Sequence, residues 1–220
     1  KFYAIAGNFC RDHLKSIDQA LDYFNLALDG FFADPEKLNA EKIQEGLKSF
    51  EAIDKICTLR KDWQNQERSY RKMLKRLPVD GFSSVRVALW HALGEVYHSR
   101  LKDIPAAIQA FEVASQLDAG NQKRKEILGE LYLVAGPDYT DKAIEQYTSM
   151  VHGAPFQPEA YQTLRRIYKS RGEYDAVWCI CAVLVYLKHA TAEEIEFFES
   201  HSCICKGTQS VEKTRALTKL

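Results

Sequence analysis

Trp90-His91-Ala92-Leu93-Gly94-Glu95-Val96-Tyr97 is the stretch that decides the fold. Trp90, Leu93, Gly94 and Tyr97 fall at i, i+3, i+4 and i+7, one apolar stripe of a helix. Ala107, Phe111 and Ala114 then repeat a helical spacing, so a second helix follows after a short connection. Moving outward, the same order returns as Leu128, Gly129 and Tyr132 followed by Ala143, Tyr147, Met150 and Pro155. It returns again as Tyr161, Leu164 and Tyr168 followed by Gly172, Tyr174, Ala176, Ile180 and Val183. Equivalent positions recur about every 35 residues, the period of a two-helix unit.

These windows resemble tetratricopeptide repeats, with a large-xx-Leu-Gly-xx-Tyr first helix and an Ala-xxx-aromatic-xx-Ala second helix. The resemblance implies an all-α fold, a right-handed superhelical solenoid of antiparallel helix pairs. Gly94 and Ala107 are the small residues expected where two helices approach most closely. Pro155 is expected to end a second helix, because proline cannot continue the hydrogen-bond ladder. A divergent copy precedes these, with Phe50, Ile53 and Cys57 on the first helix and Trp63, Gln66, Tyr70, Met73 and Pro78 after it. Gln66 stands where the family has Ala. Ile17, Ala20, Phe24, Ala27 and Leu28 resemble another second helix, with Ala6 and Gly7 in a first helix before it.

The organisation read from these windows is N-terminal helices over 1–46, which either form a divergent repeat or do not, and a divergent repeat over 47–80. A linker over 81–86 follows, then repeats over 87–121, 122–157 and 158–190, and a capping helix with a tail over 191–220. Glu36 to Leu59 reads as one long helix, and Ala192 to Ser200 as the cap. The spacing places extra residues in the turns Ser99 to Ala106 and Ala135 to Lys142, and one residue too few between Gly172 and Ala176. Arg165 replaces the small residue of the last first helix.

The chain of 220 residues is 46% apolar and 27% charged, which excludes disorder and fits a packed domain. Thirty basic and thirty acidic residues cancel, so a general nucleic-acid binder is not expected. No stretch approaches the roughly 20 apolar residues of a membrane span; Ala176 to Leu187 is too short, and stable membrane insertion is not expected. Lys1 to Cys10 does not read as an intact signal peptide, and Cys10, Cys57, Cys179 and Cys181 lie in apolar-periodic segments rather than in a disulfide framework. A cytoplasmic location is the expectation.

No phosphate cradle, nucleophile elbow or metalloprotease helix is present in the sequence, so no catalytic residue and no cofactor are assigned. The resemblance implies a non-catalytic scaffold or adaptor that binds a peptide or protein segment in a concave groove lined by first helices. The groove positions are His91, Glu95 and His98; Glu126 and Glu130; and Gln162, Arg166 and Lys169. That lining suits a peptide of mixed charge, with a basic segment against Glu95, Glu126 and Glu130 and an acidic group near Arg166 and Lys169. The Lys and Asn set with which some family members clamp a C-terminal carboxylate is absent, so chaperone-tail binding is not expected.

Two alternatives stay open at this level. His91, Glu95, His98 and Glu130 could make a metal sensor or metal-dependent enzyme, although Glu95 and His98 form only one of the two Glu-x-x-His pairs a di-metal bundle needs. Cys179, Cys181, His189, His201, Cys203 and Cys205 are a poorer ligand set, because Cys-x-Cys on a helix points its thiols roughly 200° apart; no metal is assigned. The other alternative is an oligomerisation or regulatory segment of a larger protein. Arg68, Arg71, Lys72, Lys75 and Arg76 form a basic stripe for an acidic partner or surface. Glu193, Glu194, Glu196 and Glu199 form an acidic patch around Phe197 and Phe198, which makes self-association conceivable.

Overall fold

The computed structural model describes residues 1–34, 38–78 and 82–202. Among them there is no strand. Helix α1 (Phe2–Phe9) runs into a π-helical turn, Cys10–Leu14, and is followed by α2 (Ile17–Phe31), α3 (Ala40–Arg60) and α4 (Trp63–Arg76). Helix α5 (Ser83–Glu95) likewise runs into a π-helical turn, Val96–Leu101, before α6 (Ile104–Leu117). Then come α7 (Gln122–Ala135), a 3-10 turn at Pro137–Tyr139, α8 (Thr140–Gly153), α9 (Pro158–Ser170), α10 (Tyr174–Tyr186) and α11 (Ala192–Ser202). The chain divides into two compact units, Lys1–Asn121 and Gln122–Leu220. The first holds the pairs α1–α2, α3–α4 and α5–α6; the second holds α7–α8 and α9–α10, with α11 packed on α10.

Each pair closes where the repeat pattern places its small residue. A methyl group built on Gly94 would stand 2.9 Å from three ring carbons of Phe111, one on Gly129 2.9 Å from the ring of Tyr147, and one on Gly7 2.8 Å from Phe24. Only a missing side chain lets the helices approach this closely. Helices α1 and α2 thus pack together as α5 and α6 do. In α3–α4 the glycine position is Asp54, and three departures compensate one another. The Gln66 amide donates to Asp54 Oδ1 at 2.8 Å and to Thr58 Oγ1 at 3.0 Å, and the Tyr70 hydroxyl is also hydrogen-bonded to Asp54. A polar set thus replaces the Gly, Ala and Phe of α1–α2 and α5–α6.

The turns inside four of the pairs, all but α7–α8, share one feature. Lys15, Lys61, Lys102 and Gly172 adopt left-handed φ of 55°, 55°, 58° and 73°. The residue after each is the N-cap of the second helix; Asp62 and Asp103 accept the N–H of Asn65 and Ala106. In α3 and α9 the cap N–H reaches back five residues, from Asp62 to the Cys57 carbonyl (2.9 Å) and from Glu173 to that of Tyr168 (3.0 Å). In α1 and α5 it reaches back six, from Ser16 to Cys10 (3.1 Å) and from Asp103 to Tyr97 (3.0 Å). The extra residue that the spacing places in the turn Ser99 to Ala106 is thus absorbed inside the helix as a π turn. Those after Ala135 are taken up by Gly136, at φ 107°, and the 3-10 turn.

Three boundaries differ from the sequence reading. Helix α5 starts at Ser83, inside the stretch expected to be linker over 81–86, because Phe82 in a left-handed conformation already accepts the first helical hydrogen bonds. The long helix expected from Glu36 starts at Ala40, where Asn39 caps it by accepting the Lys42 N–H. No residue is missing from the last pair: the fully buried stripe of α10 is Val177, Cys181 and Leu184, one position later than Ala176, Ile180 and Val183. Cys181 then stands where the other pairs carry an aromatic ring, opposite the oversized Arg165 that charges its surroundings. A large residue on one helix is matched by a small one on the other.

Candidate functional site

Unit 2 contains a cleft of about 490 Å³ whose walls are α7, α8 and the start of α9. Glu126 and Glu130, one turn apart on α7, form its acidic side, and Glu159 at the start of α9 faces the same space. The apolar lining is Tyr147, Met150, Phe156, Pro158 and Ala160, with Phe156 76% exposed. Pro155, which follows the end of α8, accepts a hydrogen bond on its carbonyl from the Tyr161 hydroxyl (3.0 Å), which anchors the connection carrying Phe156. Burial raises the Tyr147 phenol and Glu130 adds to that rise, while Arg166 and a hydrogen bond with Thr163 oppose it. The hydroxyl therefore stays protonated, a donor or acceptor at the acidic wall.

A second cleft of about 480 Å³ shares Glu159 and Thr163 with the first and adds Gln162, Arg165, Arg166, Thr191 and Glu194. Glu159, Gln162, Thr163 and Arg166 recur at i, i+3, i+4 and i+7, so α9 carries one polar track from carboxylate to guanidinium. Arg166 is exposed, with Nη2 3.4 Å from Thr163 Oγ1. Arg165 is not available to a ligand in the same way: its Nε lies 2.7 Å from Oε1 of Glu194, which is 1% exposed. Glu194 also accepts the Thr191 N–H at 2.7 Å and donates its own N–H to Thr191 Oγ1, a capping box that starts α11.

The expected groove residues thus fall into several settings. Glu126 and Glu130 line the first cleft, and Gln162 and Arg166 the second. Lys169, expected to meet an acidic ligand group, is held by Glu193 of α11 at 2.7 Å, which lowers the Glu193 carboxyl. His91, Glu95 and His98 belong to unit 1, where all three are half-buried and the His91 ring packs edge-on against Phe111 at 5.3 Å. Glu159, Phe156 and Thr163 were absent from the sequence reading; Glu159 and Thr163 carried a signal, their helical phase with Gln162 and Arg166.

Neither the basic stripe nor the acidic patch is uniformly free. Arg71, itself exposed, pairs with Glu67 at 3.2 Å and the half-buried Arg76 with Asp29 of α2 at 2.6 Å; Arg68, Lys72 and Lys75 are exposed as well. Glu194 and Glu193 are engaged as described. Unit 1 has its own cleft of about 350 Å³, between α4, α5 and α6, where the Tyr97 hydroxyl donates to Glu67 at 2.6 Å. Burial, then that bond, push the Tyr97 phenol up to about 12. Of the aromatics in the first-helix stripes, Tyr132 is buried, while Trp90, Tyr97 and Tyr168 are half-buried.

No group of three or more His, Cys, Asp or Glu among the described residues is placed to hold a metal ion. Of the set His91, Glu95, His98 and Glu130, the first three lie in unit 1, where the His91 ring packs against Phe111, and Glu130 lies in unit 2. Cys10, Cys57 and Cys181 are buried free thiols and Cys179 is half-buried; Cys203 and Cys205 lie outside the described residues. No described helix is long and apolar enough to cross a membrane.

No family model and no curated protein matches the sequence. Among solved structures, the chain is similar to YrrB, "a TPR protein with an unusual peptide-binding site", at 13% identity and a TM-score of 0.50, covering 88% of this chain and 89% of that one. It is similar to MamA at 18% identity, a TM-score of 0.48, and 77% and 88% coverage. A thermophilic TPR protein of Thermus thermophilus matches at 15% identity, a TM-score of 0.38, and 90% and 96% coverage. The fold is that of the tetratricopeptide-repeat proteins: all-α, in antiparallel helix pairs.

Proposed function

We propose that the protein is a non-catalytic interaction scaffold that holds an extended peptide segment in the cleft between α7 and α9. The observation that carries this reading is the pairing of three carboxylates, Glu126, Glu130 and Glu159, with an apolar wall that includes the exposed Phe156. A cationic side chain meets the carboxylates while a neighbouring apolar side chain covers Phe156 and Met150. The peptide-binding site named for YrrB supports this use of the fold. The ligand's acidic end, where it has one, faces Arg166 rather than Lys169. Free, mostly buried thiols favour a reducing compartment such as the cytoplasm.

The test is a fluorescent library of extended peptides carrying Lys or Arg next to an aromatic or aliphatic residue, titrated against wild type and Glu126→Lys/Glu130→Lys. Binding that is saturable, weakens with salt and drops at least tenfold in the double variant is the expected result. Equal affinity for both proteins, with both equally helical, removes the cleft from the function.

A further inference from the structure

In both units, a first helix that follows another helix pair buries the same three register positions. Counted from the glycine position, they lie five and two residues before it and two after. On α3, which packs on α2, they are Ser49, Ala52 and Ile56, all buried. On α5, which packs on α4, Leu89 and Val96 are buried and Ala92 is half-buried. On α9, which packs on α8, Ala160, Thr163 and Ile167 are buried. The same count from Gly7 on α1 gives Phe2, Ile5 and Phe9, and these are 78%, 67% and 52% exposed.

We propose that this face of α1 is a docking surface for the second helix of a further antiparallel helix pair of the same repeat type. It continues the interface that α2 makes with α3 and α4 with α5. Three large apolar side chains at i, i+3 and i+7 form a single stripe, the pattern of a helix face that packs against another helix. Where the chain leaves α2, the approach to α3 is close: a methyl group on Gly46 of α3 would come 2.6 Å from the ring of Phe32, the residue after α2. The occupant is therefore a helix that covers Phe2, Ile5 and Phe9 as α2 covers the equivalent positions of α3 and α4 those of α5.

The probe is a copy of the chain's own α3–α4 segment, residues 39–87, joined ahead of Lys1 so that Phe2 takes the place Leu89 has after α4. Its thermal midpoint is compared with that of the 220-residue chain. The expected result is a midpoint several degrees higher and a helical signal increased by the added pair. Ile5→Asp, and separately Phe9→Ser, abolish that gain yet leave the midpoint of the 220-residue chain in place. A fusion that gains nothing, or one whose gain survives both substitutions, overturns the proposal. It is equally overturned if light scattering shows the 220-residue chain to be a dimer that Ile5→Asp dissociates, since a second copy would then own the face.

Discussion

Replacing glycine by alanine inside a helix ordinarily stabilises, by about 0.8–1.0 kcal/mol of helix propensity. At Gly94 the sign reverses. The added methyl carbon would lie 2.9 Å from Cε1, Cε2 and Cζ of Phe111, whereas carbon atoms rest about 3.5–4.0 Å apart. The ring must retreat by roughly 0.6–1 Å, and Phe111 has no solvent exposure into which to move. Overpacking of this kind costs about 1–3 kcal/mol, so Gly94→Ala is expected to destabilise by about 1 kcal/mol after the propensity gain. Gly30 in α2 supplies the control: nothing lies within 4 Å of its added methyl, and Gly30→Ala is expected to stabilise by roughly 0.5 kcal/mol. Urea unfolding followed by circular dichroism measures both. Phe111→Leu should make Gly94→Ala cheaper by about 1 kcal/mol, a coupling that only direct contact produces. Equal stabilisation by the two alanines, or strict additivity of Gly94→Ala with Phe111→Leu, would refute close approach as the reason for the glycine.

The polar set of α3–α4 should behave as a unit: Gln66→Ala costs about 2 kcal/mol, and Asp54→Gly/Gln66→Ala costs less than the sum of its parts in a double-mutant cycle. Glu194→Ala leaves Arg165 only the longer contact with Glu193 at 3.9 Å and removes half of a capping box, for a loss of about 2–3 kcal/mol, while Arg165→Leu/Glu194→Leu should cost only the cap, about 1 kcal/mol; chemical denaturation of the three proteins checks both. Lys61→Gly should stabilise by about 0.5 kcal/mol, because relief of left-handed strain exceeds the entropy glycine adds to the unfolded chain; a loss of stability would contradict this. Burial, aided by Asp62 and Asp54, raises the Cys57 thiol from 9.0 to about 11. The folded state keeps a proton that the unfolded chain releases, so this stability is complete below pH 9.0 and is lost as pH rises to about 11. In Cys57→Ala the urea midpoint should fall less steeply across that window, and an unchanged slope would rule out the thiol as the cause.

The helix pairs were legible because their closest approaches demand glycine opposite an aromatic ring, and the pairs Gly94 with Phe111 and Gly129 with Tyr147 repeat that demand in plain view. Register failed in α10 for the same reason. Arg165 and Cys181 exchange large and small, so the small-then-bulky spacing of Ala176 and Ile180 points one residue early. The acidic wall of the cleft was readable as Glu126 and Glu130 one turn apart. Phe156 was not, because it sits between helices where no period operates. The loss of Lys169 to Glu193 depends on how α11 docks, which no local pattern encodes.

The π turns that close α1 and α5 separate two quantities that repeat patterns normally tie together, chain length and rotational phase. A residue inserted in an α-helix turns everything after it by about 100° and would swing Ile104 and its successors away from α5. Because the insertion is swallowed within one widened turn, Asp103 still caps α6 and Phe111 still meets Gly94. Selection can lengthen such a unit without repacking it. Kinship among repeats of this kind is better measured by which side chains face each other than by the number of residues between them.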